Sequence, residues 1–381
     1  MQTVLTQRLG IRLPIIQAPM AGGGDTAELV AAVSNAGGLG SIGAAYLTPD
    51  QIIERGRTVR AATPRPFGIN LFAPHPAPQV STDAVERARE AVAGFYGELG
   101  LTPPAVAPPV LSFDEQLAAC LETGAAVFSF TFGLLPVEAV ARIKQRGMAV
   151  MGTATTVAEA EALAALGVDA IVAQGSEAGG HRGTFLGDFD RALIGTMALV
   201  PQICDAVRVP VIASGGIMDG RGIAASLALG ASAAQLGTAF LVCEEAGVSD
   251  EYRAAILSAS EDQTRLTRAF SGKPARGIAN RFLTGMAERE DAILPFPLQN
   301  GLTRPLRTES AKRNRADYLS LWAGQGVRLA RRGKAEELVE KLRIEMEAAV
   351  RRITPAPDPG NLAVSRCWPP SAVSCAAACA L

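Results

Sequence analysis

His181 is one of only two histidines in 381 residues, and it lies in Gln174-Gly175-Ser176-Glu177-Ala178-Gly179-Gly180-His181-Arg182-Gly183. The run before it, Ala170-Ile171-Val172-Ala173, is short and apolar and reads as a buried strand. An imidazole in a glycine-rich turn after a strand points to catalysis, because reacting groups are commonly set on loops held by a rigid scaffold. Glycines there permit positive φ and let a flat or anionic ligand come close to the backbone. The other histidine, His75, falls in a proline-rich stretch and reads as a solvated loop residue.

The elements that must position His181 repeat one pattern: a short apolar strand, a glycine turn, then an amphipathic helix. Strands are expected at 13–17, 39–43, 67–72, 127–132, 149–153, 170–174, 211–214 and 233–236. Helix starts are marked by Thr26, by Thr48 followed by Pro49, and by Ser112 with Glu115 at capping-box spacing. Strands this uniformly apolar belong to a parallel sheet covered on both faces. Eight such units in a ring make a (β/α)8 barrel, an α/β fold of the TIM type. An open doubly wound sheet is the rival, but Gly22-Gly23-Gly24 matches the dinucleotide fingerprint only superficially.

The barrel is expected to span residues 1–245, with an inserted segment at about 73–110 that covers the site. Residues 246–353 read as a helical cap or substrate domain, interrupted at Leu294-Pro295-Phe296-Pro297. Residues 354–381, rich in proline and then in alanine and cysteine, read as a disordered tail.

Chemistry in such a barrel lies at the carboxyl ends of the strands. That face presents Ala18-Pro19-Met20, Asn70, Thr153, Gln174 with Gly179, Gly180 and His181, then Ser214-Gly215-Gly216 and Gln235-Leu236-Gly237-Thr238. The last two loops occupy the usual phosphate seat. Unobstructed N–H groups and a hydroxyl suit a phosphate monoester there. No lysine or aspartate cluster accompanies them, against phosphoryl transfer, and no carboxylate pair suggests glycoside hydrolysis. No His/Asp/Glu set at metal spacing appears. The remaining polar groups, Asn70, Gln174 and Gln235, are amides, which suit a neutral heterocycle with carbonyls and ring nitrogens. Phosphate at one end and such a ring at the other describe flavin mononucleotide, FMN. Met20 and Phe72 would wall the pocket.

These residues resemble the nitronate monooxygenase family, formerly called 2-nitropropane dioxygenase. The resemblance rests on Gln17 to Gly22, Ser34 to Gly43, Pro66 to Phe72, Gly152 to Thr155, Glu177 to Gly183, Ala213 to Ile217, Gln235 to Thr238 and Arg268 to Gly277, and covers roughly residues 10–310. It implies an FMN-bearing barrel with a helical substrate domain. The implied reaction is oxidation of alkyl nitronates by O2 to a carbonyl compound and nitrite, through one-electron transfer to the flavin. Propionate 3-nitronate is the implied substrate, and detoxification the implied role. Carried over by motif, Asn70, Gln174, Gly179, Gly216 and Gln235 to Thr238 contact FMN, and His181 is the active-site histidine. An imidazolium would offset the nitronate's charge, whereas a neutral imidazole would take the α-proton of a nitroalkane. Both roles call for a pKa near neutrality, which histidine has when unperturbed. Arg182 is a candidate partner for the nitro oxygens, with a solvated loop cation as the alternative. Ser271 and Lys273 are candidates to reach substrate from the cap, or to hold a loop.

Composition limits the classes. The hydrophobic fraction of 48% against 19% charged is that of a globular chain. A net charge of −1 with no basic stripe argues against nucleic acid as a partner. The start Met1-Gln2-Thr3-Val4 lacks the pattern of a signal peptide and no apolar run spans a bilayer, so a soluble cytoplasmic protein is expected, with no membrane partner. Six scattered cysteines read as free thiols. A homodimer is compatible with the sequence. Two alternatives remain open: an FMN-dependent NAD(P)H enoyl or quinone reductase on the same barrel, and a non-catalytic flavin-binding module. A phosphate-binding barrel without flavin is disfavoured by the lack of a strand-end lysine and of a cysteine after the fifth or sixth strand.

Overall fold

Alternation along the apolar runs decides the architecture, because every second side chain of a strand faces the same way. The computed structural model describes residues 2–106 and 111–353. Its strands are β1 (Ile15–Gln17), β2 (Gly40–Gly43), β3 (Phe67–Phe72), β4 (Val127–Thr131), β5 (Ala149–Ala154), β6 (Ala170–Gln174), β7 (Gly180–His181), β8 (Val211–Ser214), β9 (Ala233–Leu236), β10 (Thr264–Thr267) and β11 (Ala275–Ile278). Eight of them pair in parallel in the order β1-β9-β8-β6-β5-β4-β3-β2. The ring closes where Gln17 N donates to Leu39 O and Leu39 N donates to Ile15 O, both at 2.9 Å. This is the expected TIM barrel.

Inward residues Ile16, Val127, Met151, Val172 and Ile212 fill the barrel, and Leu5, Leu9 and Ile11 plug its lower end. Leu5 and Leu9 come from a helix, Val4–Leu9, that the apolar periodicity did not announce. Outward residues such as Ile42, Ile69, Phe128 and Ile171 pack on the helical ring. Helix starts follow their capping residues. Thr26 Oγ accepts from Leu29 N, and Thr48 with Gln51 forms a full capping box with Pro49 in the first turn. Ser112 accepts from Glu115 N at 3.4 Å, which is half of the expected box.

Three features depart from the linear reading. First, the 246–353 segment is not wholly helical: β10 and β11 form an antiparallel hairpin, and β11 pairs in turn with β7. The turn at 268–274 and its partner strand have no pattern of their own strong enough to announce a sheet; pairing with the His181 loop stabilises them. Second, the helix Thr82–Gly97 of the insertion shares one core with the cap, where Val92, Phe95 and Tyr96 pack with Phe270, Phe282, Leu302 and Tyr318. Tyr96 Oη donates to Leu302 O at 2.5 Å. Third, the helix Ala335–Ile353 lies in the range read as cap but buries Leu338, Val339, Leu342 and Met346 against the barrel. It packs beside the helices Ala27–Asn35 and Gly220–Ala228. The helix directly after β9, Thr238–Leu241, is one turn long, so the eighth place in the ring stays open until this later helix fills it.

Among the described residues, no helix is long and apolar enough to cross a membrane. Cys120 and Cys243 are buried free thiols and Cys204 is half-buried; Cys367, Cys375 and Cys379 lie outside the described residues, as does the segment read as a tail.

Candidate active site

β7 carries His181 across the mouth of the barrel, tied on both sides. Its backbone pairs with Ala275 of β11, and its carbonyl accepts from Gln174 Nε2 at 3.0 Å. The imidazole Nε2 lies 2.8 Å from Ser271 Oγ. Rings of Phe132, Phe296 and Trp322 surround it, with centroids 5.8, 6.1 and 5.5 Å away. Burial among them, with the charges of Lys273 and Arg307 adding to it, pushes the His181 pKa down to about 3. The enclosure therefore favours the neutral imidazole, against the near-neutral titration expected of an unperturbed histidine. Aromatic walls from the end of β4 and from the cap cause this, and neither is visible in the sequence around His181.

Ser271 is buried, and its Oγ also meets Lys273 N and O at 3.3 and 3.1 Å. Lys273 Nζ donates to Thr184 O at 3.2 Å and stands 4.5 Å from the Phe132 ring centroid. Burial lowers its pKa. His181, Ser271 and Lys273 are thus brought together by the β7–β11 pairing.

Arg182 behaves otherwise. It is 1% exposed and spends its guanidinium on carbonyls of Gln174, Gly175 and Ala192, with Nη1 to Gly175 O at 2.5 Å. It is an internal strut under the loop, so the reading of a partner for nitro oxygens is corrected. So is its alternative, a solvated loop cation. Neighbouring side chains of a strand alternate in direction, and with His181 facing the mouth, Arg182 faces inward. Gln174 is similarly occupied: its Oε1 accepts from Gly183 N at 2.8 Å and from Arg182 Nη1 at 3.2 Å.

The two glycine loops stand at the ends of β8 and β9. Gly215 and Gly216 have φ of 122° and 70°, which side chains rarely adopt. A Cβ on Gly216 would sit 3.2 Å from Glu177 Cβ. The N–H groups of Gly215, Gly216 and Gly237 donate to nothing among the described residues. Ser214 and Thr238 are buried, while Gln235 and Gly237 remain half-exposed at the mouth. A cradle of free N–H groups, beside glycines that admit close approach, fits a phosphate monoester. Asn70 is buried within β3, with Nδ2 donating to Ser129 Oγ at 2.9 Å. Ala18, Pro19 and Met20 form the β1 side of the mouth, all half-exposed.

Two groups at the mouth escaped sequence reasoning. Asp25 accepts from Met20 N at 2.5 Å and Gly43 N at 2.7 Å, locking the β1 loop onto β2. Burial pushes its pKa up to about 7. Its position shortly after Gly22-Gly23-Gly24 was the available signal. The segment 323–327 covers the β6, β8 and β9 loops. Gly324 N donates to Thr238 Oγ1 at 3.0 Å, Gln325 N donates to Glu177 O at 2.9 Å, and a Cβ on Gly179 would meet Gly324 N at 2.5 Å. Glu177 in turn accepts from Thr196 N and Oγ1, capping the helix Thr196–Ala206.

A cleft of about 1270 Å³ opens between barrel and cap, lined by Tyr46, Phe72, His75, Lys273, Phe296 and Arg304 among others. His181 and the glycine loops do not line it. Phe72, Phe132 and Phe296, in mutual contact at 4.5 to 5.9 Å, stand between, so the cleft is an outer vestibule.

The description "Nitronate monooxygenase" matches residues 2–345 of the chain. A probable nitronate monooxygenase of Staphylococcus haemolyticus is 44% identical over 344 residues, 89% of this chain and 95% of that one. Among solved structures, nitroalkane oxidase from Streptomyces ansochromogenes superposes with a TM-score of 0.86 at 42% identity, covering 92% of this chain and 99% of the other. FabK from Thermotoga maritima superposes at 0.74 with 30% identity, covering 93% and 99%. With the family description spanning nearly all the described residues and a relative this similar over most of both lengths, the chain is an oxidoreductase that belongs to the nitronate monooxygenase family.

Proposed function

We propose that the protein binds FMN at the barrel mouth and oxidises alkyl nitronates with O2 to a carbonyl compound and nitrite, with propionate 3-nitronate as a substrate. The observation that carries this reading is the arrangement of a neutral, aromatic-enclosed His181 across the mouth from two glycine loops with unpaired N–H groups. Ser214 to Gly216 and Gln235 to Thr238 would hold the phosphate, and Asn70, Gln174, Gly179, Gly180 and Ala18 to Met20 would border the ring. The flavin, when bound, supplies the one-electron acceptor for the nitronate, which a histidine cannot supply.

The chain's own residues prepare that encounter. The rings of Phe132, Phe296 and Trp322 exclude water from the reacting carbon. His181, held against Ser271, offers a neutral nitrogen that accepts a proton from a nitroalkane. Lys273 places a positive charge beside it for the nitronate anion. An anion bound against the ring raises the His181 pKa, so substrate binding and proton uptake reinforce one another.

The test is the visible spectrum of the purified protein, followed by oxygen uptake with propionate 3-nitronate. A yellow protein that consumes oxygen and releases nitrite is expected. A colourless protein that takes up no FMN overturns the reading. Rapid anaerobic bleaching by NADH favours a reductase, and a yellow protein inert to every nitronate favours a ligand-binding module.

A further inference from the structure

We propose that Asp25 is a positioning residue for the flavin: its carboxylate fixes the Met20 end of the β1 loop against β2, and proton uptake by that carboxylate loosens this edge of the site and weakens FMN binding. The proposal rests on the reading of FMN binding above. It adds the residue that sets one border of the ring and the pH range over which that border holds.

Asp25 lies just before the helix Ala27–Asn35 and is 3% exposed. Its Oδ2 accepts from Met20 N and Gly43 N at 2.5 and 2.7 Å, so one oxygen joins the β1 loop to β2. Gly43 stands in register with Asn70 of β3, and Ala44 N donates to Asn70 O at 2.9 Å. The carboxylate thereby links the two backbones proposed to border the ring, Ala18 to Met20 and Asn70. Few other ties hold the loop. Ala18 N reaches Leu236 O at 2.9 Å, Gln17 Nε2 donates to Ala18 O, and Pro19 has no N–H to offer. Gly22 and Gly23 are exposed at φ 105° and 109°, with open space where a Cβ would stand. Gly24 O accepts from Gly247 N at 3.3 Å. On the β2 side the room is already taken, because a Cβ on Gly43 would sit 2.8 Å from Asp25 Oδ2.

The carboxylate has amides for partners and no guanidinium. Arg55, from the helix Pro49–Ala62, donates Nη1 to the Asp25 carbonyl at 2.7 Å instead. The acids nearby are turned away or occupied. Glu28 and Glu244 are exposed; Glu245, whose carbonyl accepts from Thr26 Oγ1 at 2.6 Å, gives its carboxylate to Ala335 N at 3.1 and 3.0 Å. The β1 loop from Ala18 to Gly24 and the strand β2 carry no titratable side chain. Burial outweighs the two amides and the Arg55 charge, so Asp25 changes charge at about 7. Ionised, above that value, it accepts two charge-assisted bonds; protonated, below it, the same oxygens are weaker acceptors.

The test dilutes the holoprotein and reads the fluorescence of released flavin, giving the dissociation constant of FMN at pH values on either side of about 7. Asp25→Asn keeps the shape and an acceptor oxygen but cannot titrate. The phosphate of FMN itself titrates at about pH 6 in both proteins, so it cancels when wild type is divided by variant. After that division the wild type binds FMN about tenfold more weakly on the acid side, the scale of exchanging charged for neutral acceptors. A second measurement needs neither turnover nor flavin. Hydrogen exchange in the peptides holding Met20 and Gly43, expressed as protection factors, shows protection falling with a midpoint near the Asp25 value in wild type and staying level in Asp25→Asn. Should Asp25→Asn not fold, the wild-type exchange transition decides alone. Level protection in the wild type, or an FMN affinity with the same pH profile in both proteins, overturns the positioning role and leaves FMN binding standing. A pH-dependent clamp in a protein that holds no FMN overturns the functional reading, and the positioning role with it.

Discussion

His181 has an unusual protonation behaviour for the role proposed for it. Its neutral state follows from three aromatic rings and two nearby cations, not from its own chemistry. Between the ordinary histidine value and about 3, the unfolded chain binds a proton here and the folded chain does not. The stability contributed by a neutral His181 is therefore complete above the unfolded value and lost as pH falls toward 3. Thermal unfolding of the apoprotein should show a melting temperature that declines over that acid window, with a shallower decline in His181→Asn. The same substitution should retain FMN in the visible spectrum and lose about 100-fold or more in turnover, the scale of one positioned acid–base or charge contact. Near-normal oxygen uptake by that variant would remove His181 from the chemistry. Arg182 and His181 also show why adjacency in sequence does not mean a shared role: one faces the mouth, the other hydrogen-bonds three carbonyls below it.

The loops between elements place the backbone where side chains would be obstructive. Gly216→Ala puts a side chain at φ 70°, against Glu177. The left-handed conformation alone costs about 1–2 kcal/mol. Retention of FMN through gel filtration should fall in this variant, while far-UV circular dichroism stays that of the wild type. The β1 loop depends instead on a carboxylate. Asp25→Ala leaves the N–H groups of Met20 and Gly43 without their acceptor, at a cost of about 1–3 kcal/mol. The urea midpoint should fall by that cost divided by the denaturant slope; an unchanged midpoint would mean that the loop finds other partners. Thr26, Thr48 and Ser112 begin helices at positions their side-chain chemistry specifies, so these boundaries were legible. The one-turn helix after β9 was not, because nothing in Thr238–Leu241 says that its place in the ring is filled about a hundred residues later.

At the scale of the whole molecule, barrel and cap are two cores meeting at the vestibule. Phe282 is fully buried in the cap core with Phe95 and Phe270. Phe282→Ala should cost about 3–5 kcal/mol in that core. Because the two glycine loops proposed to hold the phosphate belong to the barrel, the proposed FMN binding should persist while KM for nitronate rises. A variant that loses FMN and cap together would show instead that the two cores unfold as one unit.

The sequence by itself determined the barrel, through short strands apolar on both faces and glycine turns at most of their carboxyl ends, and it singled out His181 and the two glycine loops as the candidate site. Those features are local: each is specified within a few residues by periodicity or by the absence of a side chain. Only the tertiary structure decided that Ser271, 90 residues away, touches His181, and that Tyr96 of the insertion reaches Leu302 of the cap across 206 residues. It also decided that Arg182 is internal and that the helix Ala335–Ile353 completes the ring. Burial and partner choice at these positions depend on which distant segments come together, and a pKa set by desolvation is fixed only when they do.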